Sequence, residues 1–88
     1  MNALRRNRIS KVIEAVNALN ERIDEIMCFI DAIREDEEEC FENLPESLQD
    51  SERGEAMQEA IDKLESAYSF LEDIDLEDVI SDLEDAQC

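Results

Sequence analysis

From Ile9 onward, apolar side chains return every three or four residues, and no glycine or proline interrupts them before Pro45. Counted in sevens, one row reads Ile9, Val16, Ile23 and Ile30, and a second reads Val12, Leu19, Ile26, Ile33 and Cys40. Every seam position from 9 to 33 is Ile, Val or Leu. A spacing of three and four is the period of one helix face. Its persistence over several heptads predicts a long helix packed along a continuous seam. The register runs on through Glu37 and ends at Leu44, and Asn2 is placed to cap the start. The expected helix covers about residues 3–42, roughly 60 Å at 1.5 Å per residue.

Residues 43–51 form the one clear corner. Pro45 disfavours helix at Leu44 but suits the first position of a new turn. A single turn over Pro45–Gln49 is expected, with Leu44 and Leu48 folded back over the end of the helices. Asp50 or Ser51 then caps a second helix, with Glu52 and Glu55 in its first turn. Gly54, the only glycine, costs up to about 1 kcal/mol there relative to Ala. A close approach to the first helix near Cys40 or Phe41 would compensate. Met57, Ile61, Leu64, Tyr68 and Leu71 carry the second seam. After Ile74 the phase slips by one, and the seam resumes as Leu76, Val79 or Ile80, Leu83 and Ala86. One helix over about 52–86 with an irregularity near 73–76 is favoured. The alternative is a break, with Asp73 or Asp75 capping a short third helix. The expected fold is all-α: residues 1–88 as a single antiparallel two-helix coiled-coil hairpin.

Charge supports this pairing. The chain has 26 acidic and 8 basic residues, no histidine, and a formal charge of −18. Direct contact with nucleic-acid phosphates or an anionic membrane is opposed, and His-based chemistry is absent. Disorder is countered by the 43% of hydrophobic residues and their order in sequence. Arg5, Arg6, Arg8 and Lys11 sit at the wrong end of the first helix's dipole. The acids of residues 72–85 sit at the wrong end of the second. Laid antiparallel, the two ends answer each other.

Two helices bury a thin core, and the sequence offers a second apolar face. Residues 26–30, Ile-Met-Cys-Phe-Ile, are apolar all round the helix, and Phe70 lies off the second seam. A helix apolar on two faces is buried on two faces. A homodimer forming a four-helix bundle is therefore expected, with Met27, Cys28, Phe29, Ala67, Tyr68 and Phe70 at its interface. The alternative is an elongated monomer with exposed aromatics.

Little here resembles an active site. Asp73, Asp75, Glu77, Ile80, Ser81 and Glu84 superficially match a calcium loop, but its required glycine is replaced by Asp78. A solvated acidic helix is the preferred reading. Cys28 and Cys40 lack a histidine to activate them, and no phosphate-cradling glycine loop is present. No enzyme activity, metal or cofactor is expected. Three irregularly spaced cysteines suggest reduced thiols, with an intermolecular disulfide through Cys88 as the alternative. With no visible secretory signal or apolar span, a cytoplasmic protein is expected.

The remaining signal is the acidic corner. Residues 35–55 hold ten acids and one base, Arg53, a net −9. A charge run usually means a solvated face. The sharper reading is a docking surface for a basic groove, made by Glu35, Asp36, Glu38, Glu39, Glu42, Glu46, Asp50, Glu52 and Glu55. Carboxylates at i and i+4 repeat about every 6 Å along a helix, and a hairpin offers two such rows. The stretch Leu44-Pro45-Glu46-Ser47-Leu48-Gln49-Asp50-Ser51-Glu52-Arg53-Gly54-Glu55 resembles the corner of small acidic helical proteins encoded by Firmicutes phages and prophages. Several of these also begin with a basic turn followed by Ile/Glu-rich heptads. The resemblance implies a phage context, within the host cytoplasm, in which small accessory proteins include anti-CRISPR and anti-restriction inhibitors. Two functions follow. The favoured one is a non-enzymatic nucleic-acid mimic that occupies the basic site of a host defence protein. The other is an assembly protein that oligomerises or grips a helical partner through its seam and aromatics.

Overall fold

The computed structural model describes residues 2–87. Every regular element among them is a helix: α1 (Ala3–Glu42), α2 (Glu46–Gln49), α3 (Glu52–Glu72) and α4 (Glu77–Ala86). The all-α class expected from the apolar spacing holds. The chain divides into two compact units. The first comprises Met1–Glu25 with Ile74–Cys88, and the second comprises Ile26–Asp73. Each pairs a stretch of α1 with a helix from later in the chain, as in a helical hairpin. Cys88 and the disulfide considered for it lie outside the described residues.

The helix ends follow local chemistry. The Asn2 side chain accepts a hydrogen bond from the Arg5 amide at 2.9 Å, capping α1. At the other end Pro45 has φ −55° and ψ 146°, so the chain leaves the helix and starts the single turn of α2. The Pro45 carbonyl accepts from the amides of Leu48 at 2.8 Å and Gln49 at 3.1 Å. Of the two candidate caps for α3, Ser51 serves, and its hydroxyl accepts from the Gly54 amide at 3.4 Å. Asp50 instead ends α2. The same Ser51 hydroxyl donates to the Leu48 carbonyl.

The corner departs from expectation in two ways. Leu48 is exposed rather than folded back, whereas Leu44 is half-buried. Gly54 is buried against α2, not against Cys40 or Phe41. A Cβ at this position would stand 2.0 Å from the Gln49 carbonyl oxygen. The close approach exists, but between α3 and the corner.

In the second unit Ile61, at 3% exposure, is the buried hydrophobic residue among those described. Met57, Leu64, Tyr68 and Leu71 of α3 and Ile30, Arg34, Glu37 and Phe41 of α1 are half-buried in the same unit. The row begun at Ile9 is turned inward, as expected, but its companion row differs. Val12, Leu19, Ile33 and Cys40 are exposed, and only Ile26 of that row is half-buried. The inward companion lies four residues on rather than three: Ile13, Asn20, Met27, Arg34 and Phe41. Either flank of the Ile9 row can complete a heptad seam, so apolarity alone does not choose. The corner chooses in the second unit. The Gln49 amide donates to the carbonyls of Phe41 at 3.3 Å and Leu44 at 3.1 Å, fixing the flank at which the chain turns back.

Where the sequence favours one helix over 52–86, the chain breaks. α3 ends at Glu72 and α4 starts at Glu77 with Leu76 at the N-cap position; Asp75, one residue earlier, accepts from the Glu77 amide at 3.0 Å. Asp side chains compete for backbone amides and stabilise helix starts, so the aspartates around the phase slip favour a stop over a skip. In the first unit Leu76, Ile80 and Leu83 are half-buried, as are Ile9, Ile13, Val16 and Ile23, whereas Val79 and Ala86 are exposed. Gln87 closes this unit, donating to the Arg6 carbonyl at 3.1 Å and the Ser10 hydroxyl at 2.6 Å.

Candidate functional site

The second unit carries two unlike faces. One is a groove of about 300 Å³ lined by Glu38, Phe41 and Glu42 of α1 and Gln58, Ile61, Asp62 and Glu65 of α3. Glu38 and Glu42 stand at i and i+4, as do Gln58 and Asp62, so each helix presents its polar groups on successive turns. The Gln58 amide donates to the Asp62 carboxylate at 3.3 Å. Phe41 and Ile61 give the groove an apolar component. Four carboxylates from two helices therefore share one concave surface.

Arg34 partly answers this charge. Its guanidinium donates to Asp31 Oδ1 at 2.8 Å and 3.1 Å and pairs with Glu38 Oε1 at 2.8 Å, with Glu35 Oε1 at 3.9 Å. Hydrogen bonds to Asp31 first and Glu38 second hold the guanidinium more firmly in its charged form. Arg34, just before the acidic run of residues 35–55, adds a second base to Arg53 at this end of the unit.

The nine acids expected to form a docking surface do not converge on it. Glu38 and Glu42 line the groove. Glu35, Asp36 and Glu39 are exposed on α1 and do not line the groove. Glu46 opens α2, Asp50 ends it, and Glu52 and Glu55 occupy the first turn of α3. Asp62 and Glu65 complete the groove and were not anticipated. Their position beside Ile61 on the α3 seam was the available signal.

The other face is apolar. Phe29 is 60% exposed, Ile33 56% and Phe70 73%. Of the residues expected at a dimer interface, Phe29, Cys28 and Phe70 are exposed, and Met27, Ala67 and Tyr68 are half-buried. Ile33 belongs with the exposed aromatics and was assigned to the inner seam instead.

In the first unit a shallow groove of about 310 Å³ is lined by Arg5, Arg8, Ile9 and Val12. The acids that superficially match a calcium loop fall partly on α4, which is helical from Glu77. Among the described residues, no three metal-ligating side chains converge. Cys28 and Cys40 are free and exposed. No helix among the described residues is long and apolar enough to cross a membrane. Compared with known protein families, curated proteins and solved structures, the chain has no match.

Proposed function

We propose that this chain is a non-enzymatic acidic binding protein that seats its groove face on a basic site of a nucleic-acid-handling protein. In the phage context the resemblance implies, that partner is a host defence protein met in the host cytoplasm. One observation carries the reading: Glu38, Glu42, Asp62 and Glu65 flank a single groove from two helices. Rigidly spaced carboxylates can occupy a site built for phosphates, and their long-range field speeds encounter with a cationic surface. The apolar lining from half-buried Phe41 adds desolvated contact that phosphates lack.

The test is capture from bacterial lysate by the wild type and by a Glu42→Gln, Asp62→Asn, Glu65→Gln variant, with and without excess duplex DNA. The reading expects a partner that is lost with the variant and displaced by the duplex. Equal capture under all conditions would overturn it.

A second reading has its own observation. Phe29, Ile33 and Phe70 are largely exposed in a unit with one buried hydrophobic side chain among its described residues. This favours an assembly role, with two hairpins pairing into a four-helix bundle. The readings are compatible because they use different faces.

A further inference from the structure

The inward face of α3 keeps strict spacing. Gly54, Met57, Ile61, Leu64, Tyr68 and Leu71 lie on it, buried or half-buried, three and four residues apart. Carried on at the same spacing, that face falls on Asp75, Asp78, Asp82 and Asp85. Every one of these is an aspartate, and every one is exposed. Leu76, Ile80 and Leu83, which α4 and the residue before it hold half-buried, would sit roughly 100° round a continuous helix from the α3 face. An unbroken helix over 52–86 would thus turn four carboxylates inward and move these three apolar side chains off the seam. Ionised carboxylates resist leaving water, and apolar side chains resist staying in it.

The backbone does not impose the break. Residues 73–76 include neither glycine nor proline. Asp73 (φ −75°, ψ −11°) and Leu76 (φ −88°, ψ −9°) keep right-handed helical dihedrals, so the departure is confined to Ile74 and Asp75. The amides of Ile74, Asp75 and Leu76 have no acceptor among the described residues. A continuous helix would give each a carbonyl four residues back. Some other term must offset those bonds, and the phase of the two rows supplies it.

We propose that the aspartate row is a helix breaker: it stops α3, advances the phase by one residue, and leaves α4 as an arm that opens without unwinding α3. The arm is lightly held. None of the α4 residues is buried. Half-buried Leu76, Ile80 and Leu83 and the Gln87 bonds to Arg6 and Ser10 attach it. A short element held in this way opens with a small free energy of its own, whereas α3 is anchored by buried Ile61.

Amide exchange of the whole chain, read residue by residue by NMR, tests this. Wild-type α4 should exchange about tenfold faster than α3 around Ile61. Removing Asp73 shifts all later residues by one and returns Leu76, Ile80 and Leu83 to the α3 face. It keeps the spacing of Asp75 and Glu77, so their local bond can still form. The deletion should slow exchange at Ile74, Asp75 and Leu76 about tenfold and bring α4 to the rates of α3. Asp73→Ala keeps the phase and should leave the wild-type pattern. Fast exchange at those three amides in a deletion chain that stays helical overturns the breaker, as does a break closed by Asp73→Ala. Wild-type α4 that exchanges in step with α3 overturns the arm. If the deletion costs the helical circular dichroism, exchanging the two rows carries the test: Asp75→Leu, Leu76→Asp, Asp78→Ile, Ile80→Asp, Asp82→Leu and Leu83→Asp. Length, composition and net charge are unchanged, and amides 74–76 should become protected. A persisting break, or loss of helix here too, overturns the proposal.

Discussion

Gly54→Ala should destabilise the fold although alanine is the better helix former. Gly54 lies in the first turn of α3, where propensity alone favours Ala by about 1 kcal/mol. The added Cβ would stand 2.0 Å from the Gln49 carbonyl oxygen, 2.5 Å from its carbon and 2.7 Å from its Cα. These are backbone atoms, so α2 must move by about 1.4 Å to restore ordinary contact. Such overpacking costs about 1–3 kcal/mol. The movement also strains the Gln49 side-chain bonds to the Phe41 and Leu44 carbonyls, worth about 0.5–1.5 kcal/mol each. The net loss is about 1–3 kcal/mol, or a fall of about 5–15 °C in melting temperature for a chain of this size. Thermal unfolding followed by far-UV circular dichroism reads it, at matched concentrations because association raises apparent stability. Ser66→Ala, an exposed α3 position, isolates the propensity gain and should melt slightly higher. If Gly54→Ala melts at or above the wild type, the close approach at the corner is wrong.

Three further outcomes follow from the packing. Asn20 is half-buried on the inward row of the first unit, so Asn20→Ile should raise the urea midpoint, by about 1 kcal/mol in stability; an unchanged or lower midpoint counts against that row. Gln87→Ala removes the bonds to Arg6 and Ser10 and should speed amide exchange in α4 about tenfold; equal acceleration throughout α3 would show that Gln87 does not act locally. With a net charge of −18, self-repulsion is screened by salt, so sodium chloride should raise the melting temperature; a fall would mean that internal ion pairs dominate.

The parts of the fold set by local chemistry were legible in the sequence. Asn2, Pro45 and Ser51 act on their own neighbours, so the start of α1, the single turn of α2 and the start of α3 could be read residue by residue. The α3 seam through Ile61 was legible because only one flank of it is apolar. On α1 both flanks of the Ile9 row are largely apolar, and pattern could not say which one α3 meets. Pattern pointed to the wholly apolar flank with Val12, Leu19 and Ile33. In the second unit the corner turned the chain toward the flank with Arg34 and Phe41 instead. The break after Glu72 escaped for a related reason. A one-residue phase slip is compatible with a skip or a stop, and the bond from the Glu77 amide to Asp75 favours the stop.

The acidic site was half-visible. Charge counting found the dense run in residues 35–55, but a count has no direction. Geometry retained Glu38 and Glu42, turned Asp36 and Glu39 elsewhere, and brought in Asp62 and Glu65 from a less charged stretch. Arg34 shows the same limit, because a base one residue outside a window of sequence can be a neighbour in space. The apolar face emerged through the same correction: once Ile33 left the inner seam, it joined Phe29 and Phe70.

The claim that the groove face docks on a basic site is tested most directly by the salt dependence of the captured complex. Affinity for the purified partner should fall steeply between low and moderate sodium chloride, and the Glu42→Gln, Asp62→Asn, Glu65→Gln variant should bind weakly with a shallower slope. A complex whose affinity is unchanged across that range, and equal for wild type and variant, would contradict the account.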